Sequence, residues 1–225
     1  MVEHSLRGPA QALRIEPRWP VAPAVLAASL LLAELPDRVR MLPFWVPHIL
    51  VISLIVPMAA IMLSTAKERW LRIERTNTLL FFVVTTIGMV ANLMLLIGEM
   101  VNRSREIDGI QLLTSSVAIW VSNVLTFSLL YWQLDRGGPE ARTANSSPRP
   151  DWLFPQEGAR EDVPPDWRPT FVDYLFLGFS TATAFSPTDT LPLTSRAKIL
   201  MMLQSAISLV TIVAVMSRAI NVLGS

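Results

Sequence analysis

Residues 171–200 read FVDYLFLGFSTATAFSPTDTLPLTSRAKIL, and this stretch decides the fold through its order of apolar and polar residues. Its first part, residues 171–184, is apolar but too short to cross a bilayer, because a spanning helix needs about 20 apolar residues. A turn rich in Thr, Ser, Pro and Asp follows, and a long apolar run comes after the turn. Backbone that leaves a helix at membrane depth is tolerated only against protein or water. This order predicts a re-entrant, pore-type helix, a turn that lines a wet path or lies against other helices, and a final spanning helix.

The composition of the chain also indicates a membrane protein. Hydrophobic residues make up 52% of the 225 residues and charged residues only 16%, against about 25% charged in soluble domains. The net charge of +1, with basic residues spread over several loops, predicts no nucleic-acid partner. The absence of cysteine excludes disulfides, thiolate metal sites and cysteine nucleophiles.

No catalytic motif accompanies this composition. Patterns typical of zinc proteases, phosphate-binding loops and nucleotide-binding glycine turns do not occur. Asp173 and Asp189 would be the carboxylate pair of an intramembrane enzyme, but no motif of an intramembrane protease surrounds them. We therefore expect no enzymatic activity, no catalytic residues, no cofactor and no metal site.

Long apolar runs bounded by charged residues predict the spanning helices. Four such runs lie at 42–65, 76–100, 110–134 and 199–216. A fifth run, 21–35, has only 15 residues between two prolines, and a short spanning helix, a re-entrant piece, an uncleaved anchor and a secretory signal all stay open for it. The predicted fold class is an all-α polytopic membrane protein with four to five transmembrane helices and a re-entrant pore-type helix.

The same runs divide the chain into four regions. These are an N-terminal tail at 1–20, transmembrane helices within 21–134, a loop at 135–169 and the pore-type segment at 170–225. The loop is rich in Pro and Gly, which predicts an irregular and exposed segment. Its WLFP run at 152–155 is expected at the membrane interface, where aromatic side chains are enriched.

Three of the four predicted spans, 76–100, 110–134 and 199–216, carry one stripe of polar residues each at helical spacing. The stripes are Thr78, Thr85, Asn92 and Glu99; then Ser115, Ser122, Thr126 and Gln133; then Gln204, Ser208, Thr211 and Arg218. Small and hydroxylated residues commonly mediate helix packing in membranes, and this interpretation is favoured for the first two stripes. The last stripe directly follows the re-entrant segment. Gln204, Ser208 and Thr211 are therefore predicted to line a pore.

Residues 181–196, TATAFSPTDTLPLTSR, resemble the selectivity-filter region of tetrameric potassium channels. When Asp189 is placed on the aspartate that follows the family's filter, Thr183 falls on the filter's first threonine. Pro192 and Thr194 also match the family's pattern after the filter. The resemblance implies pore architecture and a homotetramer.

The filter itself departs from the family's pattern. Ser186 and Thr188 replace the two glycines, Pro187 replaces the tyrosine and Phe185 replaces the valine. Because Pro187 fixes φ near −65° and has no amide hydrogen, a potassium-selective ladder of carbonyls is not expected. The hydroxyls of Thr183, Ser186 and Thr188 and the carboxylate of Asp189 would form rings in a symmetric oligomer, and carboxylate rings favour cations.

A second resemblance covers more of the chain. The pattern DYLFLGF at 173–179, Phe185, the TDT run at 188–190, SR at 195–196 and NVL at 221–223 is similar to an uncharacterised family of bacterial multi-pass membrane proteins. That resemblance implies the bacterial inner membrane as the location and carries no function.

Together these features predict a channel-like integral membrane protein that passes small cations through an oligomeric pore in the lipid bilayer. The alternative is a non-conducting membrane subunit or assembly factor, in which residues 186–190 form only a turn. The orientation stays open. Most Lys and Arg residues lie on the side of the pore-loop entrance, which places that side in the cytoplasm, whereas the channel resemblance places it outside.

Overall fold

The protein is described by a computed structural model that covers residues 20–36, 40–63, 67–102, 109–143, 148–159, 161–165, 167–184 and 189–223. The long helices are α1 (Val21–Ala33), α2 (Trp45–Leu63), α3 (Lys67–Asn102) and α4 (Gly109–Leu134). A 3-10 turn (Asp135–Gly137), α5 (Pro139–Thr143), β1 (Trp152–Leu153) and α6 (Pro155–Gly158) follow. The chain ends in α7 (Phe171–Ala184), β2 (Leu191–Pro192) and α8 (Ser195–Leu223). The predicted tail at 1–20 lies outside the described residues except for its last position.

The prediction of a mostly helical chain with apolar spans is confirmed. Within the described ranges, three helices are long and apolar enough to cross a membrane: Arg69–Gly98, Leu113–Gly137 and Ser195–Met216. Val21–Ala33 and Trp45–Ile61 are shorter apolar helices. The first of the three belongs to α3, which begins nine positions before the predicted start at 76, because its charged first turns continue the helix beyond the apolar run.

Helix α4 is the centre of the fold and packs against α1, α3, α7 and α8. Its aromatic side chains form much of the core. The rings of Phe127 and Phe82 meet edge to face with centroids 5.2 Å apart, which fixes the level of α3 against α4. The rings of Tyr131 and Trp152 lie 4.8 Å apart and tie the loop after α4 to the same core.

The ends of the last three long helices follow from local residues. Helix α4 ends in a run of positive φ values at Arg136, Gly137 and Gly138, a conformation that suits glycine and cannot continue a helix. The backbone N–H and the hydroxyl of Thr170 both donate to Asp173 Oδ2, at 2.7 and 2.8 Å, which caps the start of α7. The Thr194 hydroxyl accepts the Ala197 N–H at the start of α8.

The structure corrects the prediction for the loop at 135–169. Residues 151–154 are not wholly exposed, because Asp151, Trp152 and Phe154 are buried in the core and only Leu153 between them is exposed. The Trp152 indole N–H donates to Met201 Sδ at 3.3 Å. Strand β1 pairs antiparallel with β2, with Trp152 opposite Pro192 and Leu153 opposite Leu191. The loop is therefore folded against the helices at the end of α4.

Candidate functional site

The candidate site is the segment from α7 to β2, residues 171–192, together with the faces of α4 and α8 that hold it. The ring of Phe171 meets that of Trp132 near the end of α4, with centroids 6.2 Å apart. The ring of Phe179 meets that of Trp120, more than three turns earlier in α4, with centroids 5.9 Å apart. Helix α7 therefore runs antiparallel along α4, away from the end at which α4 stops.

The chain is back at that same end when α8 begins. Strand β2 lies beside β1 there, and the Leu193 N–H donates to the Asp151 carbonyl at 2.8 Å. Within α8, the Ser205 hydroxyl donates to the Thr181 carbonyl at 3.3 Å, ten residues after the helix starts. Both ends of the segment thus lie at the end of α4, while the end of α7 lies well along α8.

Gly178 permits the close approach of α7 to α4. A Cβ at this position would overlap Ser128 Oγ and would lie 3.2 Å from the Val124 carbonyl oxygen. The Ser128 hydroxyl donates to that same carbonyl at 2.7 Å, so it is held in the contact. The glycine is therefore required by packing. Gly178 belongs to the DYLFLGF run at 173–179, and no sequence pattern indicated this packing role.

The polar stripe of α8 lies inside the chain. Gln204, Ser208 and Thr211 have no exposed surface. Gln204 joins three elements: Oε1 accepts the Tyr131 hydroxyl at 2.6 Å, and Nε2 donates to the Gly178 carbonyl at 2.8 Å. Asn123 Nδ2 donates to the Gln204 carbonyl at 3.1 Å and to Ser208 Oγ at 3.0 Å.

This arrangement corrects the prediction that Gln204, Ser208 and Thr211 line a water-filled path. Side chains without accessible surface in one chain remain without it in any assembly of chains that keep this fold. The Thr211 hydroxyl donates to the Ile207 carbonyl within its own helix at 2.7 Å. The stripe is a packing interface, which is the interpretation that the sequence favours for the stripes of the other two spans. The side chain of Arg218, its fourth member, lies outside the described side chains.

A cluster of polar groups around two buried carboxylates fixes the ends of the segment, and we call it the base cluster: Asp135, Asp151, Tyr174, Thr194 and Arg196. Asp135 Oδ2 accepts the Tyr174 hydroxyl at 2.6 Å, and its Oδ1 accepts the Asp151 N–H at 2.7 Å. Asp151 Oδ1 accepts the Thr194 hydroxyl at 2.6 Å and Arg196 Nε at 2.7 Å. Arg196 also forms an ion pair with Asp151 Oδ2.

The base cluster was missed by sequence reasoning. Asp135 and Asp151 have 0% and 1% of their surface exposed, although both belong to a stretch that reads as loop. The one available signal was Thr194, which matches the channel pattern after the filter. Because each buried carboxylate receives two or more donors, the cluster is satisfied and holds β2 and the start of α8 to the end of α4.

The predicted filter residues are described only in part. Thr183 is exposed, with its hydroxyl bonded to the Phe179 carbonyl at 2.8 Å, and Asp189 is also exposed. Phe185, Ser186, Pro187 and Thr188 lie outside the described residues. No group of three or more His, Asp or Glu side chains that could hold a metal ion occurs in the described ranges. Asp173 caps the start of α7 through its bonds from Thr170.

Comparisons with known proteins add no relative: no family model, no curated protein and no solved structure matches this chain.

Proposed function

We propose that this chain is a channel-like integral membrane protein that passes small cations through an assembly of several copies, with residues 183–189 at the narrowest part of the path. The observation that carries the proposal is the course of the α7–β2 segment. It enters between α4 and α8 from one end of these two helices and is back at the same end at β2. A short helix followed by a returning segment between two spanning helices is the arrangement of a pore loop.

The lengths are compatible with a re-entrant path. Helix α7 has 14 residues, which gives about 20 Å at 1.5 Å per residue. The seven steps from Ala184 to Leu191 reach at most about 25 Å when extended. Non-helical backbone at that depth needs protein or water around it, because lipid satisfies no hydrogen bonds. One chain leaves Thr183 and Asp189 exposed. Further copies of the chain, four in the arrangement that the channel resemblance implies, would close around these residues.

The exposed polar groups of the segment favour a cation. In a symmetric assembly, Asp189 would contribute one carboxylate from each copy, and such rings select cations. Between Ile199 and Met216 the exposed large side chains of α8 are apolar, among them Met202, Leu209 and Val213. A path that continues along α8 would therefore be apolar, and apolar constrictions close by losing water. The bacterial inner membrane remains the proposed location.

The second candidate is a non-conducting membrane subunit or assembly factor. The observation in its favour is the burial of Gln204, Ser208 and Thr211, which leaves none of these three side chains able to line a path. In that case residues 185–190 are a turn held by the base cluster, and no ion passes.

Ion flux into liposomes that contain the purified chain separates the two candidates. We expect cation flux from the native chain, and a lower preference for cations over anions in Asp189→Asn, measured as a reversal potential in a salt gradient. Asp162→Asn is the matched control, because Asp162 is an exposed carboxylate of the loop before α7. Absence of flux would favour the non-conducting subunit. If Asp189→Asn and Asp162→Asn have the same preference for cations over anions, Asp189 does not line the path.

A further inference from the structure

Helix α3 is too long for the membrane that it crosses. It has 36 residues, about 54 Å at 1.5 Å per residue, whereas the hydrocarbon core of a bilayer is about 30 Å thick. At least one end therefore extends past the hydrocarbon core. The charged end is the first one, residues 67–75, which read KERWLRIER.

The level at which α3 leaves the membrane follows from its contact with α4. The two helices are consecutive, and the rings of Phe82 and Phe127 pack against each other. Arg75 precedes Phe82 by seven positions, as Leu134 follows Phe127 by seven. In an antiparallel pair, Arg75 thus lies level with the end of α4, where the chain turns into the polar base cluster. Arg72 and Arg69 lie about 4.5 and 9 Å further out.

One face of α3 changes from apolar to basic at this level. Below it, the exposed side chains include Leu80, Val83 and Ile87, with 55%, 49% and 57% of their surface exposed. Beyond it, among residues 69–75, whose side chains the structure describes, the exposed ones are arginines at every third position: Arg69, Arg72 and Arg75. Residues 72 and 83 differ by only about 20° around the helix axis. The basic group of side chains therefore sits directly above the apolar stripe.

We propose that this face binds an anionic phospholipid, with its phosphate held by Arg69, Arg72 and Arg75 and an acyl chain lying along Leu80, Val83 and Ile87. Guanidinium groups bind phosphate oxygens in pairs of hydrogen bonds. Residues 67–75 carry four basic residues, the three arginines and Lys67, and two acidic residues, so the net charge of the stretch is +2. Of these two, Glu74 is buried and so does not share the exposed face.

A lipid fits this face better than a free anion does. A free phosphate would use only the arginines and would leave the adjoining apolar stripe without a function in binding. A lipid whose headgroup is anionic matches both parts at the spacing that α3 sets. Basic residues next to a membrane surface each strengthen the binding of anionic lipid about fivefold. The inference does not depend on whether the chain conducts ions.

Lipid titration of the purified full chain in neutral detergent tests the proposal. The probes are a short-chain phosphatidylglycerol, a phosphatidylcholine of the same chain length and inorganic phosphate, and binding is followed by native mass spectrometry. We expect the native chain to prefer phosphatidylglycerol over phosphatidylcholine. Arg72→Gln/Arg75→Gln should lose about 30-fold in affinity for phosphatidylglycerol, at about fivefold per charge.

The matched control is Arg149→Gln/Lys198→Gln, which removes two exposed basic groups elsewhere in the described chain. It should bind phosphatidylglycerol within about twofold of the native chain. An equal loss in both double variants would show a general charge effect and overturn the proposal. So would equal binding of the two lipids, or competition by inorganic phosphate at the lipid's own concentration. All four substituted side chains are exposed, so size-exclusion profiles should be unchanged.

Discussion

The substitution Gly178→Ala tests the contact that seats α7 against α4. The added Cβ would overlap Ser128 Oγ and would lie 3.2 Å from the Val124 carbonyl oxygen, with Ser128 Cβ at 3.4 Å. Overpacking of this kind costs about 1–3 kcal/mol. A chain of this size loses about 3 °C in Tm for each kcal/mol, so we expect Tm to fall by about 3–9 °C. Thermal unfolding in detergent, followed by the helical circular dichroism signal, measures the change.

Two further variants make this prediction sharp. Ser128→Ala removes the overlapping oxygen and leaves contacts of 3.2 and 3.4 Å, so Gly178→Ala should cost less than about 1 kcal/mol in that background. Gly98→Ala is the matched control, because a Cβ there meets nothing within 4 Å, and alanine in a helix is favoured over glycine by about 1 kcal/mol. A Gly178→Ala variant as stable as Gly98→Ala would refute the close approach of the two helices.

Three more predictions follow from the buried polar groups. Tyr131→Phe should lower the free energy of unfolding by about 1–3 kcal/mol, because Gln204 Oε1 loses its donor. Denaturant titration measures this loss, and most of it should disappear when Gln204 is also replaced by Leu. Asp135→Ala should cost about 1–3 kcal/mol for each buried donor left without an acceptor, and limited proteolysis should then cut the loop at 148–159 faster. Ser208→Cys should resist a charged maleimide that labels Asp189→Cys rapidly, because only a hydrated thiol ionises and reacts; equal labelling rates would contradict the burial of the α8 stripe.

The long helices could be predicted because their signal is local. The run at 110–134 differs from α4 by one residue, since a continuous apolar segment bounded by charge needs no partner to be recognised. The spacing of Gln204, Ser208 and Thr211 also placed them correctly on one face. What packs against that face could not be predicted. Helical spacing determines the direction in which each side chain leaves its own helix, but it does not identify the helix that packs there.

The loop at 135–169 shows the limit more clearly. Its Pro and Gly content is a real local signal, and the positive φ values at Gly137 and Gly138 agree with it. The burial of Asp151 and Trp152 depends on Thr194, Arg196 and Met201, more than 40 positions away. No local pattern carries such pairings, so the base cluster became visible only in three dimensions.

The base cluster also has a consequence for the order in which the chain is built. Asp135 and Asp151 leave the ribosome well before Thr194 and Arg196, because synthesis runs from the N-terminus. Arg196 lies 45 positions after Asp151 and 62 positions after Leu134, whose carbonyl it also reaches. During insertion into the membrane, α7 is complete before the residues that latch its return have been made. A nascent chain arrested before Leu191 would therefore hold α7 by its contacts with α4 and with the loop after α4, where Tyr174 bonds to Asp135. The contacts of Asp151 with Thr194 and Arg196 form only as α8 begins to emerge.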